Sequence, residues 1–420
     1  MTIVEQKNRD GLTITQFVLS FIAFLLTLIA AAGFFAGGSV INRYLVLDEQ
    51  TTELFYSLGS FSILLSMIHG YSLWNVSRKK TVSQQSGTGK VSSFFKATIA
   101  LFFLALFCLL QLLSSIQQVC APFYPFLTPL AVAIPAWWFV ELGKRNLPVV
   151  TAKKNSAALS IGTGYTVLCI LVLEIIFIAL LLAILLLYFS SQPFLQQMVK
   201  YFSFSFDLSQ IELPVVEQYL RIALQNPAVV VGIFLVLGLL FPLIEESMKP
   251  IALWSLQKRA LKPTEGFILG LYFGAAFSLV ESTLAISQMD SGMWVESIAL
   301  RAATSLVHIT CSGLVGYGYA ATMKSQKSAV LPKPFLVAVL LHGVWNSLAL
   351  LSSMDLIEPI LRINQTMPAF YDILIPAALA IEWVFILRLL FKMNRKLHQI
   401  NLAAEHNETI NTGVPINDVE

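Results

Sequence analysis

Charged side chains are scarce in this sequence. Asp, Glu, Lys and Arg make up 12% of its 420 residues, whereas 56% of the residues are hydrophobic. Soluble globular domains carry about 25% charged residues, so this chain cannot cover a surface that faces water. The net charge is only +3, and no basic tract is large enough to dominate, which argues against nucleic-acid binding. The composition indicates an integral membrane protein.

Paired cysteines and the HExxH zinc motif are also absent. The four cysteines occur singly, within or beside apolar runs, at Cys108, Cys120, Cys169 and Cys311. A disulfide scaffold and a thiolate zinc site are therefore excluded as organising features. Any metal would have to be held by ligands from separate segments, because no single helix carries the HExxH spacing.

Long apolar runs are what the sequence has in place of these features. A helix of about 20 residues crosses a hydrocarbon core of about 30 Å, and continuous runs favour helices over the alternating strands of a barrel. We predict an all-α polytopic membrane protein with an intramembrane site in a helical bundle. The ten predicted spans lie near residues 14–36, 54–75, 97–116, 127–142, 163–189, 228–257, 265–286, 298–322, 335–353 and 373–391. The fourth is short enough to be a tilted or re-entrant helix.

Basic residues are concentrated in every second loop between these spans. Short cytoplasmic loops retain Lys and Arg, so the alternation predicts that both termini are cytoplasmic. The basic loops follow spans two, four, six, eight and ten and contain Arg78, Lys79, Lys80, Lys90, Lys144, Arg145, Lys153, Lys154, Lys258, Arg259, Lys262, Lys324, Lys327, Lys333, Lys392, Arg395 and Lys396.

Three regions are expected along the chain. Residues 1–155 form an N-terminal four-span region, residues 156–396 form the core, and residues 397–420 form a polar, flexible cytoplasmic tail. Within the core, residues 190–227 mix large apolar side chains with Glu217 and Arg221. This mixture is typical of an amphipathic segment that lies on a membrane surface, here the external one.

Span six contains two adjacent carboxylates, Glu245 and Glu246, in the run LLFPLIEESMKPIALW. Ionisable groups in hydrocarbon are costly and by default indicate function. Lys249 shares a helix face with Glu245 at i, i+4, and this spacing predicts that the lysine neutralises one carboxylate and tunes the charge. Pro250 removes a backbone hydrogen bond and predicts a kink beside the pair.

The next three spans also carry polar residues. Span seven has Glu281, span eight has His308, and span nine has His342 and Asn346 one turn apart on one face. Counted from the basic loops at 1.5 Å per residue, these residues and the carboxylate pair scatter over fewer than about three helical turns. A single intramembrane site built from four helices is therefore allowed.

Three other polar residues in the spans are interpreted as structural. Glu174 and Glu382 are isolated carboxylates, which in a protein with many spans usually serve packing or gating. His69 lies near the end of span two, where we expect an interfacial position.

Paired carboxylates and histidines in a partly dry cavity suit the activation of water. We expect Glu245 and Glu246 to act as general base and partner, a histidine to orient the water or protonate the leaving amine, and Asn346 to donate to the oxyanion. The same kinds of group can hold a divalent metal such as zinc. The candidate ligands are Glu246, Glu281, His308 and His342. Metal-dependent and metal-free hydrolysis both remain open at this point.

A non-catalytic scaffold or a transporter could use the same cavity for protons or ions. Transporters are expected to show inverted repeats and half-helices broken by Gly and Pro. Among the positions in these spans we interpret only Pro250 as such a break. This difference favours hydrolysis.

Four features follow one another along the chain: EESMK from Glu245 to Lys249, FSLVE ending at Glu281, His308 in the following span, and HGVWN from His342 to Asn346. Together they resemble the motifs of the PrsW family of intramembrane proteases. The wider group, which includes CAAX prenyl endopeptidases, commonly has His where Glu281 stands, and Glu there is the PrsW-like form. The resemblance covers about residues 160–395.

The resemblance implies a membrane protease in which the paired glutamates activate water, either as a glutamic or as a metallo-type endopeptidase. It also implies a bacterial plasma membrane as the location and a membrane-protein substrate, such as an anti-sigma factor, within the lipid bilayer. Glu281, His308 and His342 would then position the water or a metal.

Overall fold

The computed structural model describes residues 3–40, 42–43, 49–78, 92–189, 226–249, 253, 261–289, 291–325, 330–352 and 368–412. No strand occurs in these residues. The α-helices are α1 (Ile3–Val40), α2 (Glu49–Ser77), α3 (Ser93–Leu110), α4 (Ser114–Cys120), α5 (Tyr124–Gly143), α6 (Ala152–Ile161), α7 (Val167–Phe189), α8 (Pro227–Leu235), α9 (Phe241–Met248), α10 (Pro263–Ile286), α11 (Trp294–Ser325), α12 (Pro332–Ser352) and α13 (Pro368–Thr412).

Ten helical segments among the described residues are long and apolar enough to cross a membrane. They are Ile14–Val40, Gln50–Ser77, Ser93–Leu110, Ser114–Gly143, Ala152–Ile184, Pro227–Met248, Pro263–Ile286, Trp294–Ser325, Pro332–Ser352 and Ile373–Ala404. The predicted all-α polytopic fold with ten spans is therefore confirmed. The fourth span, Ser114–Gly143, is longer than predicted because α4 and a short 3-10 turn precede α5. The fourth span is therefore long enough to cross a membrane, whereas the shorter predicted run had suggested a tilted or re-entrant helix.

Two predicted features of the core fall outside the described residues. Pro250, with its predicted kink, is one of them, and so is the amphipathic segment 190–227 except for Asn226 and Pro227. The C-terminal tail is described in part. Helix α13 continues to Thr412, so the start of the tail is helical, where we expected a flexible segment. Residues such as Leu402, Ala403 and Ala404 have high helix propensity, which explains why the helix extends past the last apolar run.

The chain divides into two compact units. Unit 1 comprises Met1–Val167, Lys249–Ala338 and Phe385–Glu420, and unit 2 comprises Leu168–Met248 and Val339–Val384. Unit 1 thus contains the N-terminal spans together with α10 and α11, and unit 2 contains α8, α9 and most of α12. The region boundaries predicted at residues 155 and 396 stay predictions.

Helices α10 and α11 form the most buried part of unit 1. In their most apolar windows 83% and 72% of the residues are buried, against 11% in α1 and 6% in α3. Glycines recur every fourth residue along α10, and a Cβ at Gly270 or Gly274 would collide with the backbone of α11 at Ser312 or His308. The absence of side chains at these glycines lets the two backbones approach directly, as small residues do between membrane helices.

A second polar region of unit 1 joins α1, α2 and α6. The Ser20 hydroxyl shares hydrogen bonds with Ser72 Oγ at 3.0 Å and Ser160 Oγ at 3.2 Å, and His69 Nδ1 shares one with Ser160 Oγ at 2.8 Å. All four side chains are buried, and we call them the hydroxyl cluster. His69 is only 1% exposed, so its ring is enclosed within the unit, where Ser160 supplies a polar partner. Its expected position at the membrane interface stays a prediction.

In unit 2, α8 and α9 are joined by a π-helical turn, Val236–Leu240. Gly238 in this turn lies against Gly343 of α12, since a Cβ at Gly343 would collide with the carbonyl oxygen of Gly238. The Asn346 amide Nδ2 donates to the carbonyl oxygen of Leu237 at 3.3 Å. A π-helical turn interrupts the ordinary i to i−4 hydrogen bonds of the backbone. The Asn346 side chain provides a hydrogen-bond donor for one carbonyl of this turn, that of Leu237.

Candidate active site

The close contact between the π turn and α12 places His342 beside the two adjacent carboxylates of α9. His342 Nδ1 shares a hydrogen bond with Glu246 Oε1 at 3.0 Å, and its Nε2 lies 3.7 Å from Glu245 Oε2. Glu246 and His342 are completely buried, and Glu245 is 5% exposed. The two neighbouring glutamates and His342 are therefore brought together within unit 2.

This arrangement concentrates negative charge where water is scarce. Two carboxylates in one buried site are costly unless they have partners that replace the water they lose. A histidine that lies between them can supply a proton to one carboxylate while it faces the other. The group is therefore suited to proton transfer and to cation binding.

The same three residues also fit a divalent metal. Ligand atoms bound to one zinc ion at about 2.1 Å lie at most about 4.2 Å apart, and the separation of 3.7 Å between His342 Nε2 and Glu245 Oε2 is within that limit. A carboxylate on the other ring nitrogen, here Glu246, is the usual device that orients a metal-binding histidine. Within unit 2, the buried residues able to offer one ligand atom each are Glu245, Glu246 and His342.

In unit 1, Lys249, His308 and Glu281 form a chain of hydrogen bonds. The Lys249 ammonium lies 3.2 Å from His308 Nδ1, and His308 Nε2 lies 2.7 Å from Glu281 Oε2. An ammonium group has only donors, so Nδ1 accepts and the ring hydrogen is on Nε2, which donates to the carboxylate. The positive end of Lys249 also lies 4.1 Å from the centre of the Phe277 ring, a cation–π contact.

Arg301 extends this chain at its other end. Its Nη1 donates to Glu281 Oε1 at 2.9 Å, so the two oxygens of one carboxylate have two different partners. We call Lys249, His308, Glu281 and Arg301 the charged cluster. Sequence reasoning did not single out Arg301. The signal was available, because Arg301 precedes His308 by seven residues in the same span, which places both on one helix face.

The positions of Lys249 and Asn346 refine their predicted roles. Lys249 was expected to neutralise Glu245, and the contacts seen within unit 1 are with His308 and Phe277. Asn346 was expected to donate to an oxyanion, and one of its hydrogens is used by Leu237. An amide NH₂ has two hydrogens, so the oxyanion role stays a prediction, as does the pairing of Lys249 with Glu245.

The fold and these two groups define a polytopic membrane protein with buried carboxylates and imidazoles suited to acid–base and metal chemistry. A family model described as PrsW family intramembrane metalloprotease matches residues 157–375, just over half of the chain. The chain therefore belongs to the PrsW family of intramembrane metalloproteases. The resemblance expected from the EESMK, FSLVE and HGVWN motifs is confirmed. No curated protein and no solved structure matches the chain.

Proposed function

We propose that this protein cleaves peptide bonds of other membrane proteins within the bilayer, with water activated at Glu245 and Glu246. The observation that carries the proposal is the buried contact of His342 with both carboxylates. Two adjacent buried carboxylates that share one histidine are costly to maintain, and membership of a family of intramembrane metalloproteases supports a catalytic task for them.

In this proposal Glu245 is the general base. It takes a proton from water while the water oxygen bonds to the scissile carbonyl carbon, and it returns that proton to the amine nitrogen as the C–N bond breaks. Glu246 holds the His342 ring through Nδ1, so that Nε2 faces Glu245 and the reacting water. Asn346 donates its second amide hydrogen to the oxyanion that forms on the carbonyl oxygen.

The family is one of metalloproteases, and the donor set of unit 2 fits a divalent ion such as zinc. Within unit 2 we propose His342 as a ligand, with Glu246 either binding directly or orienting its ring, and with Glu245 near enough to contribute. Within unit 1 we propose His308 as a ligand, with Glu281 either binding directly or orienting its ring. A bound metal supplies Lewis acidity, which polarises the scissile carbonyl and acidifies water. Lys249 adds positive charge next to His308.

The expected substrate is a membrane-spanning protein, such as an anti-sigma factor in a bacterial plasma membrane, and no nucleic acid is involved. Both termini are proposed to face the cytoplasm because the basic loops alternate along the chain. An epitope tag added at each end checks this orientation. Resistance of both tags to protease in intact spheroplasts is the expected result, and digestion of either tag would contradict it.

The central experiment compares single-residue variants on a library of single-span reporters in membranes. Both Glu245→Gln and Glu246→Gln keep the shape of the side chain. The first removes the base and the second removes the carboxylate that holds His342, so cleavage should fall by about 10²–10⁴-fold in each. Glu382→Gln is the matched control, because Glu382 is a carboxylate of a membrane-spanning helix in unit 2 that is also buried but lies outside the predicted site. It should cleave like the wild-type chain.

Metal dependence is tested on the same reporters. Treatment with a chelator should abolish cleavage, and added zinc should restore it in the wild-type chain but not in His342→Ala. Cleavage that survives thorough chelation would favour the metal-free, glutamic mechanism. Cleavage that persists in both glutamate variants would move the interpretation to a scaffold or transporter.

A further inference from the structure

The charged cluster contains one residue that no motif of the family resemblance includes, Arg301. Glu281 is 39% exposed at its side chain, whereas the His308 side chain is 1% exposed. The carboxylate thus has space to rotate, and the buried imidazole has almost none. A hydrogen bond between a mobile carboxylate and a fixed ring keeps its direction only if something else holds the carboxylate.

Arg301 is placed to do this. Its Nη1 bonds Oε1 of Glu281, while Oε2 of the same carboxylate accepts from His308 Nε2. Two partners on the two oxygens fix the plane of the carboxylate, and a planar guanidinium is better suited to this than an ammonium. Since α10 and α11 touch backbone to backbone at Gly274 and His308, the helices that carry these groups are themselves held in register.

A serine pair next to the Glu281–Arg301 ion pair also holds α10 and α11 in this alignment. Ser278 Oγ of α10 and Ser305 Oγ of α11 lie 2.7 Å apart, and Ser305 Oγ donates to the carbonyl oxygen of Arg301 at 2.9 Å. Successive layers along the helix pair are therefore the Gly274 contact, the serine pair and the Glu281–Arg301 ion pair. Arg301 is thus attached at its backbone as well as at its guanidinium.

We propose that Arg301 is a positioning residue that acts through Glu281 to hold His308 with its hydrogen on Nε2, so that Nδ1 is the atom offered to a cation. In the structure the cation at Nδ1 is the Lys249 ammonium. In the metal-loaded protein it is the metal, and this part of the inference rests on the proposed function. A histidine held by a carboxylate on its other nitrogen is the usual arrangement behind a metal ligand.

The test uses the full chain in detergent or nanodiscs, in metal-free and zinc-titrated form. Histidine is rare, at five residues in the chain, so ¹⁵N-histidine labelling with a His308→Gln reference spectrum assigns the His308 signals. In the wild-type chain Nδ1 should show the shift of an unprotonated nitrogen and Nε2 that of a protonated one. In Arg301→Gln the two shifts should move towards each other, and zinc should bind about 10-fold more weakly.

Two further variants separate positioning from general destabilisation. Arg301→Lys keeps the positive charge and should recover most of the tautomer preference and affinity. Lys154→Gln is the matched control, because it removes another ion pair of unit 1 with the same length of 2.9 Å, Lys154–Glu265, without touching His308. It should resemble the wild-type chain in both readouts.

Wild-type tautomer and zinc affinity in Arg301→Gln would overturn the proposal, and so would equal losses in Lys154→Gln. Should Arg301→Gln fail to accumulate, Arg301→Met, which keeps the length of the side chain and the Glu281 carboxylate but lacks the guanidinium, gives the same comparison with the same outcomes. A wild-type chain that binds no zinc would instead contradict the proposed metal function. The tautomer measurement on metal-free protein would still decide the role of Arg301.

Discussion

Two polar clusters of unit 1 each contain a histidine that is 1% exposed, yet their surroundings differ. In the hydroxyl cluster, His69 is bonded to Ser160, which is bonded to Ser20. In the charged cluster, His308 lies between a lysine and a glutamate that is paired with an arginine. Neutral hydroxyls satisfy a buried histidine at little cost, whereas buried charges are expensive even when they are paired.

The comparison shows that a buried histidine alone does not indicate chemistry. His308 differs from His69 because charged groups surround its ring. These groups fix the tautomer of His308 and leave one ring nitrogen facing a cation. The hydroxyl cluster then has a structural task, the joining of α1, α2 and α6. The charged cluster is the one to which the proposed function gives a task in the reaction.

Replacement of the two histidines should give the largest contrast. His308→Ala is expected to lower reporter cleavage by about 10²–10⁴-fold, because it removes a proposed metal ligand. His69→Ala should retain cleavage per folded molecule and lose only stability. His308→Gln, whose amide can bond both neighbours, guards against a folding defect. Equal cleavage by folded His308→Gln and His69→Ala would remove the distinction between the clusters.

A methyl group added to the glycine that lies next to each histidine, Gly274 beside His308 and Gly164 beside His69, should give an intermediate contrast. A Cβ at Gly274 collides with the backbone carbonyl of His308, whereas a Cβ at Gly164 meets the His69 ring at 3.5 Å, an ordinary contact. Gly274→Ala should therefore lower the free energy of unfolding by about 1–3 kcal/mol, and Gly164→Ala should be close to neutral. Thermal unfolding in one detergent, followed by intrinsic fluorescence, measures both. The reverse order of stabilities would contradict the close packing of α10 on α11.

Removal of single hydroxyls should give the smallest effects. Ser160→Ala breaks the bond to His69, and Ser278→Ala breaks the 2.7 Å bond to Ser305. Each should cost about 1 kcal/mol of stability, the typical net value of a hydrogen bond. Only Ser278→Ala, which loosens the layer next to Arg301, should also weaken zinc binding. Comparable zinc affinities in the two variants would separate the serine pair from the charged cluster.

Much of the candidate site was predictable because motif spacing and helix periodicity are local. Glu245 and Glu246 are adjacent along the chain, and His342 follows at the start of HGVWN, so their identities needed only residue types and order. Arg301 was missed because its importance lies in contact with Glu281, a residue 20 positions away along the chain. The hydrogen bond of His69 was not predictable in this way, because its partner Ser160 lies on a separate helix, 91 positions away along the chain.

The sequence by itself determined the ten spans and the class of chemistry. Continuous hydrophobicity over about 20 residues leaves a chain little choice but a helix in the membrane, and scarce ionisable groups within such spans indicate function. Only the tertiary structure decided which nitrogen of His308 carries the hydrogen and which carboxylate lies on each nitrogen of His342. Those choices depend on the close approach of α10 to α11 and of the π turn to α12, which arises from packing between helices and not from the order of residues within one.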